Sequence, residues 1–303
     1  MKKKKMANDY HKSVLLNEVI DQLLVKQGKK YIDATLGGGG HTEAILKLGG
    51  EVLGIDRDPE AVEYVEDELK DKNPKLKVVQ GNFTEIDQIA RSQGFSKVAG
   101  VIFDLGVSSR QIEKGDRGFS YHTQGPLDMR MNQDEKLPTA ADILNLADKD
   151  ELYKIFSQFG EEPRAWALAS AVVRARKMRA FGTTDDLLQV IEGVYGIHGA
   201  VSDKTRAQIA KRGFQALRIA VNLEIESLKV ALPKAITLLG KNGRLLVISF
   251  HSLEDRETKR AFLNFEKQKL GKIITDKPIL PSLEEQEVNR RSRSAKLRVF
   301  ERA

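Results

Sequence analysis

The run Tyr31-Ile-Asp-Ala-Thr-Leu-Gly37-Gly-Gly-Gly40-His41-Thr42 constrains the fold more than any other stretch of the chain. β-forming residues lead in, glycines fill the middle, and Glu43-Ala-Ile-Leu-Lys-Leu48 follows with helical spacing up to Gly49-Gly50. The order is strand, tight loop, helix. Glycines at such a junction let the backbone turn sharply and let a ligand lie against main-chain N–H groups with no Cβ in the way. Glycine also marks ordinary turns, so the loop needs a second signal. Asp56 supplies it, closing the strand-like run Glu51-Val-Leu-Gly-Ile55. A carboxylate there can accept hydrogen bonds from both hydroxyls of a ribose, as in dinucleotide-binding folds. The expected ligand carries a nucleoside.

The missing residues narrow the choice. A pyrophosphate binder requires G-x-G-x-x-G, but counting on from Gly37 or Gly38 puts Thr42 or Glu43 at the third glycine, and no Gly-Lys-Ser/Thr of a P-loop follows. A flexible loop without a phosphate fingerprint suits S-adenosylmethionine (SAM), with NAD or a nucleotide as the alternatives. The chain has no cysteine. That excludes disulfides, thiolate metal sites and a cysteine nucleophile, so methylation of a base would need an acceptor atom that already has a lone pair. A net charge of +7 favours an anionic partner, most commonly nucleic acid. The lysine run at Met1–Lys5 leads into polar residues in place of an apolar signal segment, and no apolar run approaches the ~20 residues that span a bilayer. The expected location is the cytoplasm, with residues 1–12 loose, no membrane partner and no metal.

Along the chain, Ser13 is a candidate cap for a helix through Leu24, Pro59 opens a helix to Leu69, and Leu76–Val79 and Val98–Phe103 read as further strands. Asp33, Asp56, Phe83 and Asp104 would then meet in one crevice beyond the carboxyl ends of a parallel sheet. Phe83 is either an adenine-stacking ring or ordinary core. From about Ile112 to Ala220 strand signals fade. Helices are expected after Thr139, Asp150 and Thr183-Thr184, with a stop at Gly160. Trp166, Ala169, Ser170 and Val173 share one helical face, and Arg174, Arg176, Lys177 and Arg179 follow as either a solvated face or a nucleic-acid contact. Strands return at Arg244–Phe250 and Lys296–Phe300. The fold class is α/β: a Rossmann-like, doubly wound, mostly parallel sheet formed by 1–111 and 221–303, with an all-helical domain, 112–220, inserted for substrate recognition. The basic cluster Asn289–Arg298 is expected to contact RNA phosphates.

His11-Lys-Ser-Val-Leu-Leu-Asn-Glu18, Asp33–Thr42, Ile55-Asp-Arg-Asp-Pro59, Asp104-Leu-Gly-Val-Ser-Ser109 and Ser249-Phe-His-Ser-Leu-Glu-Asp-Arg256 together resemble the ribosomal RNA small subunit methyltransferase H family. So do Arg117-Gly-Phe-Ser, Gly125-Pro-Leu-Asp-Met-Arg130 and Gln215-Ala-Leu-Arg-Ile-Ala-Val-Asn222, so the resemblance covers essentially the whole chain. It implies a class I methyltransferase that uses SAM to methylate the exocyclic N4 of a cytidine in bacterial 16S rRNA near the decoding centre, within the small subunit or a late assembly particle. It also implies Gly39, Gly40 and His41 at the methionine end, Asp56 on the ribose, Phe83 beside adenine, and Asp104 and Gln111 near the methionine tail and reaction centre. Asp104 is the catalytic candidate. Arg130, Asn222, His251, Arg290 and Arg291 are candidates for substrate RNA, His251 also being able to hydrogen-bond within its own loop. The Pro-Pro-aromatic clamp common beside the acid of amino-methyltransferases is replaced here by Leu105-Gly106-Val107. The alternatives are a ribosome-assembly RNA-binding factor that keeps the fold without turnover, and an enzyme acting on small molecules.

Overall fold

Short apolar runs, several closed by an acidic or polar residue, become the strands of one sheet: β1 (Lys30–Asp33), β2 (Glu51–Asp56), β3 (Leu76–Gln80), β4 (Val98–Asp104), β5 (Leu239–Ser249), β6 (Gly271–Ile273) and β7 (Lys296–Arg302). The computed structural model describes residues 13–199 and 202–303, so the expected loose start at 1–12 lies outside the described residues. The helices are α1 (Leu16–Leu23), α2 (Gly40–Lys47), α3 (Pro59–Val65), α4 (Ile86–Ser92), α5 (Ser109–Glu113), α6 (Ala140–Leu146), α7 (Lys149–Lys154), α8 (Ala165–Met178), α9 (Thr184–Val194), α10 (Asp203–Asn222), α11 (Glu224–Leu238), α12 (Ser252–Lys267) and α13 (Leu283–Val288). The chain divides into two compact units, one running to Ser108 and resuming at Ile225–Ala303, the other Ser109–Glu224.

In the first unit the strand order is β3-β2-β1-β4-β5-β7-β6. β1 to β5 run parallel, and β7 lies antiparallel to both β5 and β6. The order reverses between β1 and β4, which makes that junction the topological switch point of the sheet. The two-residue period of the strands separates two cores. Ile32, Leu53, Ile55, Val101, Phe103, Leu245 and Val247 face α4, α11 and α12 through Ile86, Leu228, Leu232, Ile236 and Phe262. Tyr31, Val52, Ile102, Leu246 and Ile248 face Val19 and Leu23 of α1, Ile45 of α2 and Val65 of α3. Because both faces are covered, the strands read as nearly continuous apolar runs and not as alternating ones.

Several local expectations shift. Ser13 caps no helix: Leu15, fully buried and left-handed at φ 54°, precedes α1. α3 ends at Val65 and continues as a π-helical turn, Glu66–Lys70. β5 begins at Leu239, ahead of the expected Arg244, with a register shift between Val98 and Gly100 of the neighbouring strand and Asn242 at φ 60°.

The second unit is helical, beginning three residues before and ending four after the inserted segment expected from sequence. Thr139 and Thr183 each form a capping box, with Asp142 and Asp186 respectively. α7 starts earlier than expected because Asp148, not Asp150, accepts from Glu151 N–H in a third such box. On α8 the buried stripe is Ala165, Leu168, Ala169 and Val172, one residue out of step with the expected Trp166 face. Of the face that Trp166 shares with Ala169, Ser170 and Val173, only Ala169 is buried.

Candidate active site

β1 ends at Asp33, in register with Gly54 and with Ile102, and β2 and β4 each run two residues further, to Asp56 and Asp104. Their carboxyl ends therefore deliver Asp33, Asp56 and Asp104 to one rim of the sheet, at the switch point. The glycine loop crosses this rim. Gly37 and Gly39 take φ 50° and 75°, and a Cβ on Gly39 would lie 2.8 Å from Leu69 Cδ1, so both conformation and space demand glycine there. A Cβ on Gly40 would meet Ser13 Oγ at 2.1 Å, which is what the Ser13 side chain does in place of capping α1.

Asp56 fastens the loop. Its Oδ2 accepts from Gly37 N–H at 2.8 Å and its Oδ1 from Asp58 N–H at 2.9 Å. Burial raises its pKa to about 6, with these two N–H groups opposing the shift. In Asp33, Oδ2 accepts from Thr42 Oγ1 at 2.8 Å and Oδ1 from Thr35 N–H at 3.3 Å, and burial pushes its carboxyl upward. Thr35 ties the next strand in by accepting Asp104 N–H on its Oγ1 at 2.6 Å. His41 is buried at the start of α2 with Nε2 3.4 Å from Asp104 Oδ2, an ion contact longer than a well-made hydrogen bond. Burial alone would lower the imidazole pKa, but Asp104, then Asp33 and Glu285, outweigh it and the net shift is upward. The other carboxylate oxygen, Asp104 Oδ1, is buried and accepts no hydrogen bond, although the side chain as a whole is 24% exposed. Three carboxyl groups and one imidazole gather at this rim, a set suited to positive charge and hydroxyl donors, in a chain whose net charge is +7.

Phe83 opens a 3-10 turn after β3, partly buried and edge-on to Phe103 at 5.6 Å between centroids. Gln111, on α5, is buried in the helical unit.

The expected RNA contacts fare differently. Arg130 forms a two-pronged pair with Asp128, both N···O distances 2.8 Å, and also donates to Glu135 O. Asn222 accepts Met131 N–H and donates to Met129 O and Arg218 O. Both side chains take these hydrogen bonds within the helical unit. His251 caps α12, its Nδ1 accepting from Glu254 N–H at 3.4 Å. In the C-terminal basic cluster Arg298 is buried against Asp255 at 2.6 Å, Arg290 is exposed and Arg291 half-buried. Sequence reading missed Thr35, whose N–H donates to Asp33 while its hydroxyl accepts from Asp104 N–H, and Thr42, whose hydroxyl donates to Asp33. Their only signal was position, two and nine residues after an acid that closes a strand.

Asp56 also sets a pH dependence. Its pKa is raised in the fold, so below about pH 4 it is protonated in both folded and unfolded chains. As pH rises to about 6 the unfolded chain loses its proton first, and this group takes away up to about 3 kcal/mol of stability. The ligand-free protein is expected to lose this increment between about pH 4 and 6, and Asp56→Ala should flatten that part of a urea-stability profile. No change in the profile would mean that Asp56 titrates normally.

The chain matches the family model described as "MraW methylase family" over residues 8–303. It is similar to the ribosomal RNA small subunit methyltransferase H of Fusobacterium nucleatum, 41% identical over 98% of each chain. A relative of the same name from Brevibacillus brevis is 42% identical, covering 97% of this chain and 98% of the relative. One from Deinococcus deserti is 42% identical over 96% and 93%. Among the described residues no helix is long and apolar enough to cross a membrane. With a glycine loop and three acids gathered at the switch point, and a match that runs nearly the full length, the chain belongs to the MraW methylase family and is a SAM-dependent methyltransferase.

Proposed function

We propose that this protein methylates the exocyclic N4 of a cytidine in 16S rRNA near the decoding centre, as a cytoplasmic enzyme acting on the small subunit or a late assembly particle. The observation that carries the reading is Asp104 Oδ1, a buried acceptor without a donor at the acidic rim of the sheet. When bound, SAM supplies an electrophilic methyl carbon on a positively charged sulfur. Asp56 is the group for the ribose hydroxyls, Gly39, Gly40 and His41 line the methionine end, and Phe83 offers its ring to adenine. Asp104 is the group for the methionine tail and the acceptor. Acidic groups at this rim favour this cationic cofactor over a pyrophosphate.

The remaining work for the chain is to place the amine and take its proton. The N4 lone pair of cytosine is delocalised into the ring, and attack on a methyl carbon leaves the nitrogen with a proton to shed. A carboxylate already fixed at that nitrogen stabilises the charge as it develops. Asp104 is held for this by Thr35 on its N–H and by His41 on its other oxygen. With no cysteine in the chain, the lone-pair route is the one its residues can serve. The helical unit, 109–224, and the exposed Arg290 are the proposed RNA-facing parts, and an unpaired base is the easier target because extrusion from a duplex costs a few kcal/mol.

Tritiated-methyl transfer to 16S rRNA, to small subunits and to a metabolite mixture, followed by nucleoside mass analysis, tests the reading. N4-methylcytidine from the ribosomal samples is the expected product. A chain that binds no SAM at millimolar concentration by calorimetry, yet still binds the particle, would be an assembly factor instead. Asp56→Ala should weaken SAM binding by ~1–3 kcal/mol through lost charged hydrogen bonds, and an unchanged dissociation constant would remove it from the site.

A further inference from the structure

The cations that follow Trp166 in sequence separate into two kinds once α8 is built. Arg176 donates to Leu144 O and Ala147 O at 3.0 and 2.6 Å, closing the carboxyl end of α6. Arg179 lies 3.7 Å from Asp186. Arg174 and Lys177 are exposed, and among the described residues neither has an acidic group within ion-pair distance. At 100° per residue Trp166, Ser170, Arg174 and Lys177 fall on one face of α8, opposite the buried stripe Ala165, Leu168, Ala169 and Val172.

Trp166 stays 52% exposed although two side chains of α7 touch it, Tyr153 edge-on at 5.4 Å and Lys149 with its ammonium 3.6 Å from the ring centroid. Tyr153 is itself 40% exposed. A half-exposed indole beside a phenol and an ammonium, with two unpaired cations about 12 and 17 Å further along the same helix face, has the make-up of a stacking platform leading into a phosphate track. A solvated helix face needs no tryptophan, and a core tryptophan would point the other way.

We propose that this face of α8 binds a single-stranded segment of RNA, one base stacking on Trp166 and phosphates a few nucleotides away pairing with Arg174 and Lys177. The inference rests on the RNA-substrate reading above and adds where on the helical unit the RNA lies. Single-strand sites bind by base–aromatic stacking together with backbone charge, and both are present on this face.

Trp166 is the chain's single tryptophan, so its fluorescence reports on the site directly. Titrating the full chain with a mixed-sequence single-stranded RNA of about 12 nucleotides, within the range such sites take, should quench it saturably. By anisotropy of labelled RNA, Trp166→Ala should weaken binding about tenfold and Trp166→Phe should retain most of it. Arg174→Ala with Lys177→Ala should lower the slope of log K against log salt by about 1.4. Thermal melting should be unchanged in Trp166→Ala, because the side chain lies outside the core. RNA binding with unaltered Trp166 emission, or equal affinity in Trp166→Ala, would overturn the assignment. Persistence of small-subunit methylation in that case would leave the proposed function standing, whereas a wild-type chain that neither binds nor methylates RNA would remove both.

Discussion

Replacing Asp104 by asparagine is expected to lower methyl transfer by about 10²–10⁴-fold, while changing SAM affinity by less than about tenfold. Asparagine keeps the shape of the side chain and leaves its backbone N–H free to donate to Thr35 Oγ1 as before. What it loses is the negative charge at the oxygen that now has no donor and can receive the amine proton. The variant also removes the leading support for the raised pKa of His41, which stands 3.4 Å away. With that support gone, burial should carry the imidazole toward neutrality, a change visible in its NMR titration. Single-turnover rates measured beside calorimetric SAM affinities separate the two roles. Equal losses in rate and affinity would make Asp104 a binding group only.

Asn222→Ala is expected to destabilise the helical unit by about 2–4 kcal/mol, a large effect for one side chain. The amide is almost wholly buried and serves three backbone partners, Met131 N–H, Met129 O and Arg218 O. Alanine leaves the loop groups unpaired where water has poor access, and leaving a buried polar group unpaired costs more than a hydrogen bond contributes net. The loop it pins is already held in an unusual conformation, with Met129 left-handed at φ 63°. A second anchor, Arg117, donates to Arg130 O and Met131 O, so the loop should persist in a loosened form and not unfold outright. Urea unfolding with a probe in the helical unit checks this. A loss below about 0.5 kcal/mol, the range of ordinary surface substitutions, would mean that the loop is held from elsewhere.

The contrast between these two residues shows what the sequence by itself determined. Both were singled out as site residues, Asp104 because it closes an apolar strand beside a glycine loop, Asn222 because it ends a block shared with a family. Strand ends are legible in sequence: a short apolar run must be buried, its polar terminus must leave the sheet, and parallel strands aim those termini the same way. That reasoning located Asp33, Asp56 and Asp104, the parallel order of the strands and the helical insertion. Which partner a polar side chain takes is not legible, because hydrogen bonds form between residues far apart in sequence, Asn222 to Met131 and Thr35 to Asp104 among them. Only the tertiary structure could decide which partners Arg130, Asn222 and His251 take within the protein, and that on α8 alanine packs inward while Trp166, Arg174 and Lys177 are left to the solvent.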